Sequence, residues 1–289
     1  VKIHRTLLVV LYLTGFSLAG LVALEGLDYY RTPLAERPHT AGHAELKPSG
    51  SIGHGLGILG SSLILLLFFY SLRRRNLLGL RFGDIGQWLN VHILFGIMGP
   101  VFVTLHTCFK FGGIVSVSFY SMVAVAASGF VGRYLYVQIP RTISGDELTL
   151  KEMEEKSREL GLLLEEYGMD PQLIEEIRAV SGTRSGRRRS ALSVIPAIIF
   201  NDLSRPFRLR GLKKRLRRQG VAPSGEDTGE LMRIIERHSL LVRKIELLST
   251  VQRLFHLWHV IHKPFATVMI LIMMVHVTVA LIFGYRWVF

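Results

Sequence analysis

The chain has 289 residues, 49% of them apolar and 20% charged, with a formal net charge of +13 and a mean hydropathy of +0.34. A soluble protein this basic would point to nucleic acid. Here the apolar runs and the charges are segregated, with basic residues just outside the runs, as at Arg73, Arg74 and Arg75; this is a topology signal and argues against a nucleic-acid partner. Cys108 is the only cysteine, which excludes an intrachain disulfide, a four-cysteine iron–sulfur cluster and a covalent CxxCH haem.

A membrane-crossing helix needs about 20 apolar residues, and five segments qualify: 6–24, 52–72, 88–109, 114–137 and 258–285. The first follows Val1-Lys2-Ile3-His4-Arg5 and ends in small residues between Ala19 and Ala23, the form of a signal peptide. It is read as a retained helix. Residues 26–50 balance Arg31, Arg37 and Lys47 against Asp28, Glu36 and Glu45. The next connection carries Arg73, Arg74, Arg75 and Arg81. The excess of Lys and Arg predicts that this connection and the basic segment 140–255 are cytoplasmic. The N-terminus is then inside, the C-terminus outside, and the third and fifth spans run parallel across a bacterial-type inner membrane.

Within 140–255, Ser144-Gly145-Asp146-Glu147 before Leu148 predicts a helix start, acidic in its first turn, that runs to Tyr167 and stops at Gly168. Asp170-Pro171 opens another helix. Residues 181–190, with Arg187, Arg188 and Arg189, form a Gly/Ser-rich basic linker. Residues 191–218 join Ile195, Ile198, Ile199 and Phe200 to a basic tail containing Lys213, Lys214 and Arg215. This stretch fits either a segment lying on the anionic inner leaflet or a basic helix packed on its neighbours. From Glu226 a long amphipathic helix is expected to run straight into the fifth span. The expected class is an all-α, integral membrane helical bundle, divided as 1–139 (four spans), 140–255 (helical cytoplasmic insertion) and 256–289 (the fifth span, completing the bundle).

Histidine inside a membrane helix is costly and usually functional. The third span holds His92 and His106, the fifth His262 and His276, and both pairs are fourteen residues apart. Fourteen steps of about 100° return a side chain to within about 40° of its starting direction while the helix rises about 21 Å. Two parallel helices with this spacing offer facing histidine pairs at two depths, and each pair can supply both axial ligands of one b-type haem. Glycines supply room for a flat ring: Gly96 and Gly99 follow His92, Gly53, Gly55, Gly57 and Gly60 lie in the second span, and Gly129 and Gly132 in the fourth. Plain helix packing also uses small residues, so it is their placement between paired histidines that carries weight.

The paired spacing resembles the dihaem membrane cytochromes b, a group that includes respiratory cytochrome b subunits and ferric-reductase-like transmembrane domains. The runs Leu105-His106-Thr107-Cys108-Phe109-Lys110-Phe111-Gly112-Gly113, Gly132-Arg133-Tyr134-Leu135-Tyr136 and Trp258-His259-Val260-Ile261-His262-Lys263-Pro264 are similar to stretches of bacterial b-type cytochromes. The resemblance covers the four spans from Ile52 onward. It implies two haems b held by His92, His106, His262 and His276, and electron exchange with quinone or a redox partner, as part of a larger membrane redox complex. Residues 140–255 depart from it in having no GxGxxG and no flavin or nicotinamide signature, which argues against a self-contained flavin-linked reductase.

Other residues carry open alternatives. His259 stands seventeen residues from His276, about 100° off the shared face, and is expected to cap the entry of the fifth span or to contact a propionate. His54 fits quinone hydrogen bonding, ligation of a further haem with His39 and His43, or an interfacial bond to a backbone carbonyl. Arg133, read as a buried arginine that wants an anion, and Lys110 fit the two propionate sets; snorkelling to lipid phosphate is the plain reading of Arg133. Tyr134 and Tyr136 fit an interfacial aromatic belt. A different function class remains open: a transporter or scaffold whose intramembrane histidines relay protons or bind zinc.

Overall fold

The computed structural model describes residues 2–76, 79, 83–139, 149–167 and 226–283, with short runs and single positions between 169 and 214. Among these the chain is helical, with no strand. The helices are α1 (Lys2–Glu25), α2 (Leu27–Arg31), α3 (His43–Leu46), α4 (Ser51–Arg74), α5 (Ile85–His106), α6 (Gly113–Gln138), α7 (Leu150–Glu166) and α8 (Glu226–Ile282). Five of them, α1, α4, α5, α6 and α8, contain stretches long and apolar enough to cross a membrane. Their exposed surfaces are rich in Leu, Val, Ile and Phe, as a lipid-facing exterior requires.

The chain divides into two compact units, Val1–Arg133 with Trp258–Phe289, and Tyr134–Leu257. In the first, α4 and α5 form the most extensive helix pair, and their register explains much of the site. His106 meets the Gly53 carbonyl, a Cβ on Gly60 would lie 3.0 Å from the Gly99 carbonyl, and His92 faces the backbone of Leu67. Along α4 these contacts fall at 53, 60 and 67; along α5 at 106, 99 and 92. Each step is seven residues, so the same two stripes meet throughout, as in a heptad seam. Glycine on both sides at the middle of the seam lets the backbones come close. A second cluster fills the centre of the bundle: Ile64, Met122, Met269 and Met273 are buried, with Leu67, Val103 and Phe119 packed against them. α1 adds to the other side of α5, where Ala19 joins Leu94, Met98, Phe102 and Leu105.

The third span ends at His106, three residues before the apolar run does. Cys108 and Phe109 take φ of 49° and 59°, left-handed values that end a helix and are costly for side chains with a Cβ. Arg37 holds them there. It is 5% exposed, and its guanidinium donates to the carbonyls of Cys108, of Tyr30 at 2.8 Å and of Thr32 at 2.9 Å. It also lies over the Tyr29 ring. One buried cation thereby ties the connection between α1 and α4 to the end of α5. The Cys108 thiol donates to the Leu46 carbonyl at 3.0 Å. Burial raises its pKa and pushes the phenols of Tyr29 and Tyr30 up to about 12, so the cluster carries only the arginine's charge at neutral pH.

In the second unit, α7 begins at Thr149 with a capping box: the Thr149 hydroxyl accepts from the Glu152 amide and the Glu152 carboxylate accepts from the Thr149 amide. The start expected at Ser144 lies outside the described residues, as do Pro171 and the linker 181–190. Leu164, Met169 and Ile174 pack against Leu231, Ile234 and Ile235 of α8. α8 begins at Glu226 and continues to Ile282, as its amphipathic pattern predicts.

Candidate functional site

All four paired histidines belong to the first unit. The rings of His106 on α5 and His276 on α8 face one another with centroids 6.5 Å apart at an angle of 59°. A metal ion bonded at about 2 Å to one nitrogen of each ring would set the ring centres roughly 6 Å apart. His106 Nδ1 lies 2.8 Å from the Gly53 carbonyl oxygen. A carbonyl only accepts, so the proton sits on Nδ1 and the lone pair is left on Nε2. Metal-ligating histidines are commonly oriented in this way. Gly57 makes the approach possible: a Cβ there would lie 2.6 Å from His106 Nδ1.

A similar arrangement recurs at the other level with different atoms. His262 Nδ1 is 2.7 Å from Ser128 Oγ. The Ser128 hydroxyl donates to the Val125 carbonyl at 2.9 Å, which leaves its oxygen to accept from Nδ1–H. His262 Nε2 is again the atom with a free lone pair. Trp258, one turn earlier on α8, stacks on the His262 ring at 4.6 Å and 36°, and its indole N–H donates to the Ser128 carbonyl at 2.8 Å. The indole fits because residue 132 is glycine; a Cβ there would collide with it. His92 is near enough for its charge to act on His262, and it packs against Tyr70 at 5.0 Å. Its Nδ1 is buried without a hydrogen-bond partner among the described residues. It lines a groove of ≈ 360 Å³ with Leu66, Phe69, Trp88, Val91 and Phe95.

No family model, curated protein or solved structure matches the chain. The site is therefore read from its own residues. Among the described residues no group of three or more His, Cys, Asp or Glu gathers around one point. Paired imidazoles with the distal proton fixed, glycine where the ring presses on backbone, and an apolar surround fit a bis-histidine haem better than a three- or four-ligand zinc site.

The remaining sequence candidates fall at different distances from this geometry. His54 on α4 is half-buried and its charge is felt by both His106 and His276. His43 packs on Tyr29 at 5.8 Å, while His39 lies in the short 3-10 turn Arg37–His39. Lys110 is exposed beyond the end of α5. Arg133 is exposed, so its reading as a buried arginine is corrected. The capping role expected for His259 is corrected: it lies well inside α8, where the backbone amides are already bonded and no cap is needed, and its ring sits edge-on to Trp258 at 4.6 Å. Tyr134 donates to Asp202 at 2.5 Å. Of the basic runs 187–189 and 213–215, only Lys214 lies within the described residues. Sequence reasoning missed Ser128, the Gly53 carbonyl and Tyr70 as partners of the ligands. Trp258 had a usable signal, standing four residues from His262 and thus on its face; a backbone carbonyl has none.

Proposed function

We propose that the chain is a dihaem b-type cytochrome of an energy-transducing membrane, an electron-transfer subunit working between the quinone pool and a redox partner protein. The observation that carries this reading is the His106–His276 pair, with rings 6.5 Å apart and the His106 proton committed to Gly53. His106 and His276 hold one haem, His92 and His262 the other. Bound there, haem supplies reversible one-electron redox chemistry, with its potential set by axial ligand, burial and hydrogen bonding.

The chain's own residues do the rest. Gly53 and Ser128 fix which imidazole nitrogen is available. Met122, Met269 and Met273 fill the space between the two levels with apolar, polarisable groups that exclude water. Quinol releases two protons with its two electrons, and His54, beside the His106–His276 pair, is placed to accept one. By the distribution of Lys and Arg, this pair lies towards the outer surface and the His92–His262 pair towards the cytoplasm.

The test is haem content. The chain purified in mild detergent should hold two non-covalent haems b by pyridine haemochrome assay, with the sharp reduced visible bands of bis-histidine ligation. A colourless protein that retains its fold, or one that binds zinc in place of haem, overturns the reading.

A further inference from the structure

Between 199 and 214 the described residues are all helical, and one of them shows which side of the segment faces the protein. Asp202 accepts hydrogen bonds from Tyr134 Oη at 2.5 Å and Gln138 Nε2 at 2.8 Å, and pairs with Arg243, which is 2% exposed. With that side held, a neighbouring arc of the segment is left outward. Ile199, Phe200, Leu203 and Phe207 are exposed at 46, 73, 70 and 66%. On a helix these four positions fall within about 100° of arc. Four large apolar side chains gathered on one outward arc form a patch of the kind that marks an interaction surface.

Charge says what covers it. Residues 205–218 contain eight Lys or Arg and no Asp or Glu. Arg210 lies over the Phe207 ring, with its guanidinium carbon 5.5 Å from the centroid, so an aromatic ring and a cation are presented side by side. An apolar arc edged by cations matches the boundary of an anionic bilayer, where phosphates lie above acyl chains. A soluble acidic partner would satisfy the cations and leave Phe200 and Leu203 in water. We propose that the described part of this segment lies flat in the headgroup region of an anionic membrane, with Phe200, Leu203 and Phe207 in the acyl boundary and Arg210 and Lys214 among the lipid phosphates.

The full chain carrying Leu203→Cys is labelled with bimane; native Cys108 is fully buried, and the unsubstituted chain gives the blank. The protein is reconstituted in nanodiscs of phosphatidylcholine alone or of phosphatidylcholine with phosphatidylglycerol. In the anionic discs the label should shift to the blue, be quenched by nitroxide lipids and show a several-fold smaller iodide quenching constant than in the neutral discs. Arg210→Glu with Lys214→Glu should return the anionic-disc value to the neutral one. Equal iodide access in both lipids overturns the proposal. So does shielding that appears only with an added acidic protein, or only with two copies per disc, since the occupant is then a partner or a second chain.

Discussion

The two histidine pairs share one spacing in sequence and differ in what holds them. At His106 the acceptor is a backbone carbonyl, Gly53, and the ring is pressed against the glycine at 57. At the other level His262 is held by a serine hydroxyl and an indole, while His92 borders an open groove and faces the Leu67 backbone without a close hydrogen bond at Nδ1. A carbonyl is fixed by its helix; a hydroxyl can turn and a groove can admit other molecules. Equal spacing in sequence does not mean equal sites: the first is built into the backbone, the second into side chains.

The largest expected effect tests the pairing. His106→Ala or His276→Ala should remove one haem and leave the other; His92→Ala or His262→Ala should remove the complementary one. Haem content of each variant then falls by half, and redox titration of the survivor shows which potential belongs to which pair. If the His92→Ala and His106→Ala chains retain the same haem, the pairing is wrong. Gly57→Ala comes next. Its Cβ invades the His106 ring, so haem at that pair should be lost or weakly held, whereas Gly20→Ala on α1, with open space around it, should leave both spectra unchanged.

Ser128→Ala sharpens the contrast. It removes the hydroxyl from His262 and should weaken ligand binding there by about 10–100-fold, the usual cost of losing such a partner. A shift in that haem's midpoint potential, with the His106–His276 haem unmoved, distinguishes this from general unfolding. The smallest effect is expected from Tyr70→Phe. The ring packs on His92, and the substitution keeps the packing, so haem content should stay at two with at most a small change in one potential. A lost haem would show that the phenol oxygen itself holds His92.

The bundle was legible because its signals are periodic. Five apolar runs, a basic bias in alternate connections and two matched fourteen-residue intervals all survive without tertiary information. The end of the third span was not legible. Apolar residues continue to Phe109, and the helix stops at His106 because Arg37, seventy-one residues upstream of Cys108, captures the Cys108 carbonyl. A capping role for His259 was misread because it was assigned as though the helix began beside it; α8 is already about nine turns old there. Arg133 was read as buried from its place within the fourth span, and in the structure it is exposed. The acceptors for the ligand histidines were hidden most deeply. Gly53 acts through a main-chain oxygen that every residue possesses, so its importance depends on register alone.

That register has a consequence for how the chain can vary in length. Side chains along α4 and α5 can be exchanged while the contacts at 53, 60 and 67 stay opposite 106, 99 and 92. Deleting a single residue between Gly60 and Leu67 would swing everything beyond it by about 100° and carry the Leu67 carbonyl away from His92. Only insertions of seven, matched on both helices, restore the seam, and each moves the two histidine levels about 10 Å further apart. Length change in this pair of helices is therefore quantised, and the bilayer thickness leaves no room for the next step.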